Sequence, residues 1–386
     1  MEQLAPYDLV LTGGRIVDPQ AGTTYAGDVA VRTGRIAAVG PGLGADAGSR
    51  IDLGGRFVAP GFVDLHGHYF ASGSPIATEP DPFGVDVGVT TVVDAGTTGW
   101  ANFPAFRALE MAQARTRVLA FLHVCSIGLQ TLASGVGELH DLSLADVAGA
   151  VRRAAEFPNE VVGFKVRLTP RVQAPPMGVL SRGLDAAGRA GLPLMVHVTD
   201  PPVPVARIFE RLRPGDIVTH ALHGGAQGLL TSGGRPQPWF VEARERGVLF
   251  DVGHAGTLFC AETARRAADA GFWPDTLSTD AYRTGPGEWV PTLPELMSVF
   301  LTMGMPLERV VASVTTNCAR ALGDPHWATP WRPGAPADVT IFEVRDGVVP
   351  AGPDGPPGEG RQVTVVHVLR DGVLLPVGGK EATVDA

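Results

Sequence analysis

The chain has 386 residues, 45% hydrophobic and 18% charged, with a formal net charge of −9. That composition belongs to a folded globular protein, and the acidic balance argues against nucleic acid or an anionic membrane as the main partner. Cys125, Cys260 and Cys318 stand in unrelated contexts and form neither a disulfide framework nor zinc-finger spacing. With no basic, apolar leader in MEQLAPYDLV and no apolar run of transmembrane length, a cytoplasmic setting is expected.

Residues 1–59 alternate short apolar runs with turns: Asp8–Thr12, Arg15–Val17, Asp28–Val31, Arg35–Val39 and Arg56–Val58, punctuated by TGG, DPQAG, RTG and LGG. This predicts a small meandering β unit. Over residues 60–325 the pattern changes. Apolar runs at Gly61–Leu65, Thr90–Asp94, Arg117–His123, Val161–Val166, Pro193–His197, Asp216–Thr219, Val248–Asp251 and Thr276–Ser278 alternate with longer stretches of helical character. Those helical stretches include Phe103–Ala114, Leu144–Glu156, Gly178–Ala190, Trp239–Arg246, Ala261–Ala270 and Leu293–Met303. Alternating strands and helices predict βαβ units and a parallel sheet, and the length fits a (β/α)8 TIM-type barrel. A doubly wound open sheet is the competitor, and the absence of a G-x-G-x-x-G opening a helix after the first strand counts against it. Residues 326–386 return to β character at Ala337–Phe342 and Val363–Leu375, with a turn at Asp371-Gly372 and a loop over Val349–Gly360. The two terminal segments are therefore expected to build one composite β-sandwich domain beside the barrel.

Barrel sites form at the C-terminal ends of strands. The first barrel strand ends in Asp64-Leu65-His66-Gly67-His68, and positions i and i+2 share a face, so His66 and His68 can present two imidazoles to one point. The fourth strand carries Lys165, the fifth ends at His197, the sixth at His220 and the eighth at Asp280. Each alone reads as an ordinary polar residue; the ordered set on different strands reads as a metal site.

The lysine sharpens that reading. Of 31 basic side chains only Lys165 and Lys380 are lysines. A protonated amine beside two divalent metals would be repelled, and burial with neighbouring positive charge drives a lysine towards its neutral form. A neutral amine can add carbon dioxide and become an anionic carbamate with two oxygens, one for each metal. Arginine stays protonated and cannot.

The order His-x-His, Lys, His, His, Asp resembles the amidohydrolase superfamily. The flanking runs YDLVLTGGRIVDP, GDVAVRTGRIAAVG, DLGGRFVAPGFVDLHGH and RPGAPADVTIF are similar too. The resemblance implies that His66, His68 and Asp280 hold one divalent metal, that His197 and His220 hold the other, and that carboxylated Lys165 bridges them. Zinc is the default metal, with manganese or iron also fitting. It implies a metal-bridging hydroxide as nucleophile, with Asp280 as the catalytic proton acceptor and donor. DAGTTGWANFPAFR, FDVGHAGTLF, PDTLSTDAYR and LMSVFLTMGMPLERVVASVTTNCARALG look like the amidohydrolase/deacetylase branch often labelled dihydroorotase-like. Members of that branch are associated with deacylating amino-acid or hydroxy-acid derivatives. Dihydroorotase or another cyclic-amide hydrolase is the competing activity, but Phe70 stands where dihydroorotase has its substrate-gripping arginine. Asn317-Cys318-Ala319 replaces the usual Asn-Pro-Ala, on a late helix. A non-catalytic scaffold is the competitor of another class, and retention of all six ligand positions favours the enzyme. His254, Arg167, Tyr282 and Arg283 are the candidate substrate contacts, with His223 an alternative ligand to His220; His123, His140, His326 and His367 carry no assignment. A homo-oligomer acting on a small-molecule acyl substrate is expected.

Overall fold

The structure, a computed structural model, describes residues 6–132, 136–285, 288–324, 328–350 and 358–378. Its first strands are β1 (Tyr7–Asp18), β2 (Thr23–Arg32), β3 (Arg35–Gly40), β4 (Ala47–Asp52) and β5 (Phe57–Pro60). The two runs expected at Asp8–Thr12 and Arg15–Val17 are one strand. Its register against β2 shifts between Leu11 and Gly14, around Gly13 at φ 68°, a backbone region open to glycine that lets a bulge sit inside a continuous strand. The sequence reading missed β4, which pairs parallel with β1 and buries only Ile51; one apolar side chain leaves no alternation to detect.

The middle of the chain supplies β6 (Phe62–Gly67), β7 (Val89–Ala95), β8 (Arg117–His123), β9 (Val161–Leu168), β10 (Leu194–Val198), β11 (Ile217–Thr219) and β12 (Leu249–Phe250). Each is hydrogen-bonded in parallel to the next, forming one curled sheet. Helices follow as α1 (Phe103–Phe106), α2 (Val147–Glu156), α3 (Pro176–Ala190), α4 (Val205–Phe209), α5 (Pro238–Glu245), α6 (Ala261–Asp269), α7 (Leu293–Thr302), α8 (Leu307–Ser313) and α9 (Thr316–Leu322). One face of the strands packs into the helical layer, Phe164 and Val166 with Val179 and Leu180 for example. The other face brings Leu65, Val93, Phe121, Met195 and Ile217 together over Cys318 and Leu322 of α9. This alternation gives a filled barrel interior.

Thr276–Ser278 does not form the expected eighth strand. The segment instead makes two isolated parallel bridges, Asp251 with Thr276 and Gly67 with Ala281, which close the sheet between β12 and β6. Carboxylates take the place of a regular ladder there. Thr279 donates its amide to Asp64 Oδ1 (3.0 Å), and Ser278 donates its hydroxyl to Asp251 Oδ2 (2.7 Å). The helix expected over Phe103–Ala114 begins as α1 but widens into a π-helical turn at Arg107–Met111, which carries the buried Glu110 that accepts the Ser72 amide (2.7 Å). The start of α2 falls later than expected because Asp146 caps it through the Gly149 amide (3.0 Å). Short α4 and α8 are not expected from the sequence, whereas α9 is the late helix that carries Asn317-Cys318-Ala319.

The chain ends in β13 (Val339–Val349), β14 (Gly358–Arg370) and β15 (Val373–Leu375). Asp371 and Gly372 have φ of 49° and 77°, as a two-residue hairpin turn requires. The expected Val349–Gly360 loop is shortened by both strands, and its centre, 351–357, lies outside the described residues. Among the described residues the second sheet runs β15-β14-β13-β5-β1-β2-β3, with β4 alongside β1. Strands from both chain ends therefore share one sheet, with β13 paired to β5. Thr340 of β13 accepts from Phe62 N (3.3 Å) and donates to Gly88 O (3.0 Å), while Phe57 stacks on Phe342 with centroids 5.4 Å apart. No helix of the described residues is long and apolar enough to cross a membrane.

At the N-terminal ends of the barrel strands, fully buried Asp216 accepts from Leu194 N (3.0 Å), Arg213 N (2.8 Å) and Arg213 Nη2 (2.7 Å). Replacing it with alanine strands a buried amide and a half-buried guanidinium. Asp216→Ala is expected to cost about 3 kcal/mol, read as a lower urea midpoint at unchanged slope.

Candidate metal centre

The site is assembled by the barrel closure. Asp280 N donates to His66 O (2.7 Å) and His68 N to Ala281 O (2.7 Å), so the segment after the last bridge is locked to the end of β6. Asp280 itself has φ 50° and His220 φ 61°, a left-handed region where asparagine and aspartate are among the more tolerant residues. The result is a carboxylate inserted between imidazoles. Asp280 Oδ1 lies 3.2 Å from His66 Nε2 and 3.1 Å from His68 Nε2, and Oδ2 lies 3.8 Å from His220 Nε2. His66, His68 and Asp280 each offer a ligand atom within 4.8 Å of the others, and all three are buried. Lys165 Nζ is 3.0 Å from His66 Nε2 and 3.3 Å from Met195 Sδ. The His197 ring sits 4.0 Å from the His220 ring, its Nε2 bonded to Thr199 Oγ1 (2.7 Å).

Hydrogen bonds behind the rings decide which nitrogens face the centre. Thr219 donates its hydroxyl hydrogen to Asp251 Oδ2 (2.7 Å), so the Thr219 oxygen must accept from His66 Nδ1 (2.8 Å). Gly253 O can only accept, so His220 Nδ1 carries its proton there (2.7 Å). Each ring then presents a bare Nε2 lone pair towards Asp280. His68 Nδ1 is held by Thr97 Oγ1 at 2.9 Å. His220 Nε2 and Asp280 Oδ1 are both buried without a hydrogen-bond partner. Lone pairs facing a carboxylate repel unless a cation lies between them, so the donor set fits a divalent metal.

The titration of these groups follows from burial. Desolvation pushes His66 down to about 4 and His197 and His220 well below the usual imidazole value, with Lys165 adding to each shift. Burial alone would raise Asp280, but His66, His68 and His220 outweigh it and hold the carboxyl well below its usual range. Desolvation brings Lys165 down to about 7, aided by Arg167 and opposed by Asp280, Asp251 and Glu138. Burial raises Asp64 to about 7. The Lys165 stem needs room: Gly96, at φ 91°, could not carry a Cβ without placing it 2.8 Å from Lys165 Cγ.

Above the centre opens a cavity of about 430 Å³ whose wall includes His68, His197, Asp280, Arg167, Arg171 and Tyr282. Of the four expected substrate contacts, Arg167 and Tyr282 line it. Arg283 turns away, with Nε bonded to Ala77 O (3.2 Å) and N to Ile76 O (2.8 Å). His254 is fully buried beneath the wall between Phe259 and Trp289, ring centroids 4.6 and 5.8 Å away, and its Nδ1 accepts from Gly256 N (3.2 Å). Burial lowers it to about 3. His223 accepts from Gly225 N (3.0 Å), away from the cluster of His66, His68 and Asp280. Cys318 is buried below β6, its Sγ 3.3 Å from Ser313 O.

Sequence reasoning passed over Asp251, Thr219, Thr97 and Glu138. The first ends an expected strand, as the ligands do, and that position was the available signal. Glu138 had none: it lies on a loop and is buried against His123 Nε2 (2.9 Å) and Arg167 Nε (3.3 Å).

No family model matches the chain. A deacetylase of Agrobacterium fabrum is 36% identical over 316 residues, covering 81% of this chain and 77% of that protein. Among solved structures, an adenine deaminase superposes with a TM-score of 0.88 at 28% identity, covering 96% of this chain and 100% of that one. A dihydroorotase gives a TM-score of 0.84 at 30% identity over 96% of this chain and 99% of that one.

Because His66 Nε2 is aimed by the Thr219 hydrogen bond to Nδ1 (2.8 Å), with Asp251 Oδ2 farther off at 3.7 Å, Thr219→Val removes the closer hold at nearly constant volume. Metal affinity is expected to fall about 10-fold or more, measured by competition against a chelator.

Proposed function

Since the chain belongs to the amidohydrolase superfamily, in its deacetylase and dihydroorotase-like branch, we propose that it is a binuclear hydrolase that deacylates N-acyl amino acids or O-acyl hydroxy acids. Membership makes it a metal-dependent enzyme acting on carbon–nitrogen bonds. The observation that carries the finer reading is the convergence of His66 Nε2 and His220 Nε2 on the buried Asp280 carboxylate, with Lys165 Nζ 3.0 Å from His66 Nε2 and with His220 Nε2 and Asp280 Oδ1 left without a hydrogen-bond partner. His66, His68 and Asp280 would hold one ion, His197 and His220 the second, and Lys165 would join them as a carbamate. Carbamylation forms a bond from Nζ to the carbon of carbon dioxide and releases a proton, converting an amine into an anion with two donor oxygens. Burial that lowers Lys165 to about 7 supplies the neutral amine this step needs. When bound, two zinc ions would lower the pKa of a water and polarise the scissile carbonyl.

The protein's own part is proton handling and exclusion of water. The Asp280 carboxyl lies well below its usual range, so it would be ionised at neutral pH. Its carboxylate would accept a proton from the attacking water and return it to the leaving nitrogen or oxygen. Thr97 and Thr219 hold the histidine rings against rotation throughout. The wall contributes Ile76, Leu132 and Leu258 as apolar surface and Arg167 and Arg171 as cations, a mixture suited to an acid with an apolar side chain. Phe70, in the position of the dihydroorotase arginine, is buried against Phe106 with centroids 5.5 Å apart, which speaks against cyclic ureide acids as the main substrate.

The deciding assay compares N-acetyl and O-acetyl acids with dihydroorotate on one preparation. Hydrolysis of the acyl acids is expected, and turnover of dihydroorotate alone would overturn the reading. Elemental analysis of the purified protein is expected to return about two equivalents of divalent metal. Lys165→Arg should lose metal and at least about 100-fold in activity, whereas Lys165→Ala should regain part of both in the presence of short carboxylic acids; full activity of the arginine variant would rule out the carbamate.

A further inference from the structure

The two cations on the cavity wall are in different electrostatic states. Arg167 projects from β9 with its side chain only 12% exposed, and its Nε lies 3.3 Å from Glu138 Oε2. Glu138 is itself buried, and although burial alone would raise its carboxyl, Arg167 and His123 hold it below the usual value. The charge of Arg167 is therefore matched inside the protein. Arg171 stands three residues past the end of β9, exposed, with its backbone amide tied to Thr169 Oγ1 (3.2 Å). Among the described residues its guanidinium has no carboxylate partner. The sole acid on the wall is Asp280, which the histidines surround. The cavity thus carries one uncompensated positive charge, at its rim, facing a wall that includes Ile76, Leu132 and Leu258.

We propose that Arg171 is the residue that selects acids, pairing with the carboxylate of the substrate while the fixed Arg167 stands behind it and the apolar wall takes the side chain. The inference rests on the acyl-acid reading given above. A guanidinium meets a carboxylate through two parallel N–H···O bonds, and the geometry of a loop tethered by Thr169 sets how far from the scissile carbonyl that carboxylate can lie. The substrate class is then an acyl derivative of an acid with an apolar side chain, and the neutral amide of the same compound is discriminated against. Arg167 is the weaker candidate because its charge is already shared with Glu138, a buried carboxylate that His123 also holds at 2.9 Å.

The test uses the full-length, metal-loaded protein and the variants Arg171→Met and Arg171→Lys. Each is assayed on the N-acetyl derivative of an apolar amino acid and on the matching N-acetyl amino-acid amide. In the unaltered protein the acid is expected to be the better substrate. Arg171→Met should lose about 10- to 100-fold in kcat/KM on the acid, mostly through KM, so that the ratio between acid and amide collapses towards one. Arg171→Lys should recover part of the ratio. Calorimetric binding of an N-alkyl amino acid, which lacks a scissile carbonyl, should show the same loss without turnover, at equal metal content. Should Arg171→Met keep the acid preference and the binding, Arg171 is not the anchor and the acyl-acid reading survives. Should the unaltered protein hydrolyse none of the acyl acids, both fall together.

Discussion

Two backbone hydrogen bonds, from Asp280 N to His66 O and from His68 N to Ala281 O, tie the last barrel segment to the first strand, and most of what distinguishes this protein hangs on them. They complete the barrel where a regular eighth strand is missing, and in the same stroke they place the Asp280 carboxylate between two imidazoles. Asp64 and Asp251 brace the joint from either side by taking the amide and hydroxyl groups of Thr276, Ser278 and Thr279. Closure and ligand placement are thus one event. A barrel that failed to close would also lack its carboxylate, and a carboxylate out of place would leave the seam unpaired.

The electrostatic design around that seam is subtractive. Histidines surrounded by protein stay neutral because charging them would need hydration they do not have. The threonine and carbonyl acceptors behind them take the Nδ1 protons, which leaves the Nε2 lone pairs of His66 and His220 pointing inward. Lys165 is stripped of solvent in the same way, and the nearby charge of Arg167, though paired with Glu138, adds to its shift. Cation binding is favoured because His220 Nε2 and Asp280 Oδ1 are buried with no hydrogen-bond partner, and His66 Nε2 has only Lys165 Nζ.

Much of this was legible from residue order. The positions of His66, His68, Lys165, His197, His220 and Asp280 at successive strand ends placed them at one mouth, since a barrel converts strand order into angular order. What periodicity could not show was the seam: Thr276–Ser278 reads as a strand by composition, yet carboxylates replace its ladder partners. Nor could it find Glu138, which owes its burial to contacts 15 and 29 residues away in sequence. His254 follows a strand and so reads as a residue of the mouth; only packing reveals Phe259 and Trp289 against its ring and leaves its Nε2 buried without a hydrogen-bond partner. Strand β4 and the short helices α4 and α8 escaped because each buries too few side chains to write a period.

The composite sheet has a consequence for synthesis. β5 leads directly into the first barrel strand, yet its partner β13 emerges only after the whole barrel has been translated. At typical elongation rates that interval is roughly 15 to 60 s. Throughout it, one edge of β5 presents unpaired amides and carbonyls, with Phe57 and Val58 lacking the cover that Phe342 and Ile341 later supply. An open edge of that kind invites pairing with another nascent chain. The brevity of β5, with Pro60 ending it without a donor, limits that hazard during the wait.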